Sequence, residues 1–140
     1  MYYMDTSVLA AYYCPEPLSE KAESLLINQE YPSISALTEL ELFSAVSRKI
    51  REGNILKADG DRIIARLLSH INGGFYNYLP IESHHYRLAR DWIAHFNTAL
   101  RTLDALHLAI ASTGGLIIVT ADKMLAKSAE TLGVETVVLG

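Results

Sequence analysis

The sequence predicts a three-layer α/β/α sandwich built on a mainly parallel sheet. Strand-like and helix-like segments alternate along the chain, the pattern of a sheet covered by helices on both faces. The run "LIIVT" (116–120) is apolar without alternation, as in a strand buried on both sides. No repeat, low-complexity segment or linker interrupts the pattern, and 140 residues suit one domain with a real core.

The elements follow in order. "YYM" (2–4) reads as a short strand ending at Asp5. The next residues turn into a helix, with Thr6 or Ser7 as N-cap, and "CPEP" stops it. "SEKAESLLINQ" (19–29) has apolar residues at helical spacing, and "YPSISA" is strand-like. A long helix is expected from about Thr38 to Arg51, closed at Gly53. "ADGDRIIARLLSHI" is helical and ends at Asn72-Gly73-Gly74. "FYNYLPI" is strand-like, and its proline suits an edge position or a strand end. "SHHYRLARDWIAHF" (83–96) is helical. A mostly apolar helix containing Asp104 follows, broken at Gly114-Gly115 before "LIIVT". "DKMLAKSAETLG" is a helix closed by Gly133, and "VETVVLG" is a last strand.

Composition excludes several classes. Half of the residues are hydrophobic and 20% are charged, as in soluble globular chains. No apolar stretch matches a membrane span, and the N-terminal residues do not resemble a signal peptide. Cys14 is the only cysteine, which excludes an internal disulfide or a cysteine-based zinc site and fits a reducing, cytoplasmic setting. The formal net charge is −4, so no basic surplus advertises nucleic-acid binding. Acids gathered at one metal site would make that sum misleading.

Sites in open α/β sheets lie beyond the carboxyl ends of the strands. Four carboxylates fall there. Asp5 follows the first strand, and Asp122 lies two residues beyond "LIIVT". Glu41 lies in the first turns of the helix after "SISA", and Asp104 in the first turn of the helix that feeds "LIIVT". Each has a plain structural reading. Asp5 and Asp122 suit N-caps. Thr38 and Glu41 have the spacing of a capping box, and Asp104 complements a helix dipole behind an N-cap at Thr102. Together, four anions at one rim would repel by about 3 kcal/mol per close pair, at an effective dielectric of about 20 and about 5 Å. A divalent cation would remove that cost. Hard cations such as Mg²⁺ take carboxylate, water and phosphate oxygens, and can activate water against a phosphodiester.

The segments "MDTS" (4–7), "ISALTELELFSAV" (34–46), "RTLDALHLAIA" (101–111) and "VTADKMLAKSAETLGV" (119–134) resemble the four acidic motifs of the PIN domain family, most of all its VapC-type toxins. The resemblance covers nearly the whole chain, in order. It implies a ribonuclease dependent on Mg²⁺ or Mn²⁺, acting as the toxin of a toxin–antitoxin pair. Asp5, Glu41, Asp104 and Asp122 then correspond to the metal-holding acids, and Thr6 and Thr120 to hydroxyls that support them. The register "T-x-x-E-L" selects Glu41 over Glu39, which reads as a solvent-facing first-turn acid. The implied partners are an RNA substrate, an antitoxin protein that blocks the acidic groove, and a second copy of the chain, since twofold pairing is common.

Other residues are weighed against plainer roles. Arg48, Lys49 and Arg51 form a basic cluster, a solvated helix face by default and a phosphate contact on the functional reading. Arg101 suits a carboxylate partner or an RNA contact. His107, one turn beyond Asp104, could approach the site rim but reads first as a core or rim packing residue. The adjacent His84 and His85 lack zinc spacing. Tyr2, Tyr3, Tyr12 and Tyr13 read as packing. A receiver domain is disfavoured because "MDTS" has no adjacent acid pair and no lysine follows "VVLG". A haloacid-type phosphatase is disfavoured because Ser7 stands where it has a second aspartate. A housekeeping PIN ribonuclease, or a PIN-like module that only binds RNA or protein, is the alternative.

Overall fold

A computed structural model describes all residues, Met1–Gly140. Five strands form one fully parallel sheet in the order β3-β2-β1-β4-β5. The strands are β1 (Tyr2–Met4), β2 (Ser33–Ser35), β3 (Asn77–Leu79), β4 (Ile117–Thr120) and β5 (Thr136–Val138). The helices are α1 (Thr6–Tyr13), α2 (Ser19–Ile27), α3 (Ala36–Arg51), α4 (Lys57–Asn72), α5 (Ser83–Ile93), α6 (Thr102–Thr113) and α7 (Lys123–Thr131). The chain steps outward from β1 to β3, then returns to lay β4 on the other side of β1. The topological switch therefore lies between β1 and β4, where such sheets place their sites.

Alternating side chains on the strands feed two cores. Met4, Ile34 and Val119 pack with α1 to α4 through Val8, Leu26, Leu42, Val46 and Leu67. Tyr3 and Ile118, one residue earlier on β1 and β4, point the other way and pack with Leu108, Ile110, Leu125 and Ala129 of α6 and α7. A smaller cluster joins Leu37 of α3 to Ala89 of α5 and Ala105, Leu106 and Ala109 of α6. Burial on both sides explains why "LIIVT" lacks alternation: Ile118, Val119 and Thr120 are all buried. Strand β3 is an edge strand, and Pro80 lies immediately after its end.

Several helix ends differ from expectation. Helix α1 is capped by Asp5, not by Thr6 or Ser7: its carboxylate accepts the Val8 N–H at 3.3 Å. Helix α3 starts at Ala36, and its capping box joins Ser35 to Thr38. The Thr38–Glu41 box suggested by the sequence does not form, because β2 ends at Ser35, which leaves the buried Thr38 inside the helix and Glu41 free of capping duty. Helix α6 has Arg101, not Thr102, at its N-cap position and no side-chain cap bond. Helix α5 stops at Ile93, three residues short, and the chain turns through Phe96 at φ 53°. No helix is long and apolar enough to cross a membrane.

Candidate acidic site

Asp5 directly follows the central strand β1, and its backbone N–H bonds the Val119 carbonyl of β4 at 3.1 Å. The residue is only 4% exposed. Its carboxylate accepts hydrogen bonds from the Ser7 hydroxyl, from the Thr120 hydroxyl at 2.6 Å, and from the Val8 amide. Burial pushes the Asp5 pKa above the ordinary value, and the Ser7 and Thr120 hydroxyls pull it partly back. Ser7 also accepts the Ala121 N–H at 2.9 Å, which fixes the turn after β4.

Thr120 connects Asp5 to Asp122, because its Oγ1 accepts the Asp122 N–H at 3.0 Å. Asp122 caps α7: Oδ1 accepts the Met124 and Leu125 amides at 2.9 and 3.2 Å. Asp104, in the first turn of α6, lines one depression with Asp122, Arg101, Leu100 and Met124. Arg101 donates to Asp104 Oδ2 at 3.3 Å, but its side chain is 81% exposed, so the pair contributes little to stability.

Glu41 sits in a second depression, lined by Thr6, Ser7, Ser44, Arg48 and Leu103. Its Oε1 accepts a hydrogen bond from the Thr6 hydroxyl at 2.6 Å and another from His107 Nε2. Burial opposes Glu41 ionisation, but His107 and the Thr6 hydroxyl outweigh it and hold the pKa below the ordinary value. Glu39, two residues earlier, is half-buried and accepts the Tyr78 hydroxyl beside β3, so it is not simply solvent-facing.

The four acids thus lie at the carboxyl edge of one sheet without gathering into one cluster. No three acidic, histidine or cysteine side chains stand together as a ready ligand set. The expected repulsion is avoided locally. Asp5 has three donors, Glu41 has Thr6 and His107, Asp104 has Arg101, and Asp122 has the N-terminus of α7. An all-oxygen donor set still fits a hard cation, and Mg²⁺ commonly takes one or two carboxylates and keeps its waters. Asp104 Oδ1 and Asp122 Oδ2 have no protein partner and so remain available.

The basic cluster of α3 splits. Arg48 lines the Glu41 depression, Lys49 pairs with Glu16 at 3.1 Å, and Arg51 donates to Ser47 Oγ at 2.8 Å on the exposed face. His85 accepts the Glu82 N–H at the start of α5. Tyr13 bonds Tyr76 and His70, a packing role. Sequence reasoning missed Ser7 and His107 as partners of the acids. The available signal was a histidine inside the apolar run 105–111, which needs a partner once buried.

The family model for the PIN domain matches residues 2–130. The chain belongs to the PIN domain family. Solved structures of similar fold include FitAcB from Neisseria gonorrhoeae, with 20% identity over 97% of this chain and 96% of that one, at a TM-score of 0.68. VapC20 of Mycobacterium tuberculosis, a sarcin-ricin loop cleaving toxin, shares 14% identity over 91% and 95% of the two chains, at a TM-score of 0.74. VapBC2 of Rickettsia felis, bound to a DNA fragment from its promoter, shares 18% identity over all of both chains, at a TM-score of 0.71. No curated protein sequence matches this PIN-domain chain.

Proposed function

We propose that this PIN domain is an endoribonuclease that uses Mg²⁺ or Mn²⁺ and acts as the toxin of a toxin–antitoxin pair. The observation that carries the reading is the linked carboxylate edge at the β1/β4 switch. Asp5 and Asp122 are joined through Thr120, and Asp104 faces the same depression as Asp122. Family membership and the toxins among the similar folds support the same reading.

Asp104 and Asp122 would hold the cation, with Asp5 as the buried anchor behind them and Glu41 as the fourth acid. A divalent ion supplies, when bound, charge stabilisation at a phosphodiester and acidification of water. The chain's own residues set the geometry. Ser7 and Thr120 orient Asp5, the α7 amides fix Asp122, and Thr6 orients Glu41. Arg48 and Arg101 line the two depressions as phosphate contacts for RNA. Lys49 and Arg51, tied to Glu16 and Ser47, make weaker candidates. The protein partner is an antitoxin that covers the acidic edge, and the chain pairs with a second copy of itself.

Induced expression of the wild-type chain in a bacterial host should arrest growth and leave cleaved cellular RNA. Asp5→Asn, expressed to the same level, should relieve both effects. Normal growth with intact RNA on wild-type expression contradicts the toxin reading.

A further inference from the structure

His107 is 3% exposed within the buried apolar run Ala105–Ala111 of α6, yet both ring nitrogens are engaged. Nε2 meets Glu41 Oε1, and Nδ1 lies 2.6 Å from the Tyr3 hydroxyl. Tyr3 is fully buried on β1, and its hydroxyl also lies 2.8 Å from Ser35 Oγ and 3.2 Å from Thr38 Oγ1. Ser35 and Thr38 form the capping box of α3, the helix that carries Glu41. The hydrogen bonds therefore make a loop. It leaves the start of α3, crosses β1 and α6, and returns to α3 three residues after Thr38.

The protons in this loop can run only one way if every bond is made with a neutral ring. A carboxylate only accepts, so Nε2 carries the proton and donates to Glu41. Nδ1 is then the acceptor, and the single Tyr3 proton goes to it. The Tyr3 oxygen in turn accepts from Ser35 or Thr38. The opposite tautomer would set a bare nitrogen against a carboxylate. Buried polar chains gain little over an apolar core of the same shape. This one ends at an acid that reaches a solvent-open depression and whose Oε2 has no protein partner.

We propose that His107 is a positioning residue for Glu41, with its tautomer set by Tyr3. The pair, with Thr6, takes up Oε1, stops the side chain swinging, and presents Oε2 to the depression beside Arg48. This inference rests on the nuclease reading, in which Glu41 is a working acid. Groups that orient the acids of metal sites through hydrogen bonds matter in this way generally.

The test uses the full chain. Glutamine places an amide nitrogen where histidine has Nε2, whereas asparagine mimics Nδ1. With Mn²⁺ and a single-stranded RNA, His107→Asn should lower kcat on the order of 10–100-fold with KM little changed. His107→Gln should recover most of that loss, and Tyr3→Phe should fall between wild type and His107→Asn. Nitrogen-15 spectra of the metal-free protein should show His107 as the Nε2–H tautomer, and Tyr3→Phe should show a mixture. If the histidine variants do not fold, the Tyr3→Phe kinetics and the wild-type spectrum decide. An Nδ1–H ring, equal losses in the glutamine and asparagine variants, or a loss confined to KM overturns the positioning role. Wild-type protein with the Nε2–H signature but no RNA cleavage refutes the nuclease reading instead.

Discussion

Asp5 is a carboxylate whose environment resists its charge. Its folded pKa lies above the unfolded value because burial outweighs its hydrogen-bond donors. A raised pKa means that Asp5 favours the folded state most when protonated. Its contribution is complete below the unfolded pKa and is lost as pH rises through the folded one. In EDTA, the melting temperature of Asp5→Asn should therefore gain on wild type as pH climbs from the acid range to neutrality. A gap between the two that stays constant with pH would contradict the burial account. Glu41 has the opposite sign. Its contribution is present above its unfolded pKa and lost as pH falls through the depressed folded one. The placement of the four acids at the carboxyl edge of the sheet was legible in the sequence, because each follows a strand or lies in the early turns of a helix. Their individual partners were not. The bonds from His107 to Glu41 and from Thr120 to Asp5 span 66 and 115 residues, and no local pattern encodes them.

At the scale of elements, α4 packs tightly against α3 at Gly60. A Cβ there would lie 2.6 Å from Ile50 Cδ1 and 3.1 Å from Val46 Cγ1. The Ile50 contact is with the tip of a flexible side chain. Gly60→Ala should be nearly neutral, since about 1 kcal/mol of helix propensity offsets a small shift. Gly60→Leu should cost about 1–3 kcal/mol in urea denaturation, through overpacking. A leucine tolerated without loss would show that the two helices part easily. Element types were legible from periodicity and breakers, but their ends were less so. The Thr38–Glu41 spacing suggested a later start for α3, but β2 ends at Ser35, and Ser35 caps the helix instead. Helix α5 stops before Phe96 because the chain turns there to reach α6, which its local pattern did not reveal.

At the scale of the whole molecule, the strand order brings Asp5, Thr120 and Asp122 together. Alternating strands and helices predicted a parallel sheet, but not which strand lies beside β1. Burial does not decide it, since β2, buried at all three residues, flanks β1 on the other side. The same topology puts Glu41 in a depression of its own, so only Asp5 and Asp122 are joined by hydrogen bonds, through Thr120. The central claim is that this edge cuts RNA with a divalent cation and with Glu41 as a working acid. The most direct measurement is the cleavage rate of a labelled single-stranded RNA by wild type, Glu41→Gln and Glu39→Gln, each with Mn²⁺ and with EDTA. The account predicts cleavage by wild type and Glu39→Gln in Mn²⁺, nearly none by Glu41→Gln, and none by any of them in EDTA. Wild-type cleavage that survives EDTA, or equal rates for the two variants, would contradict it.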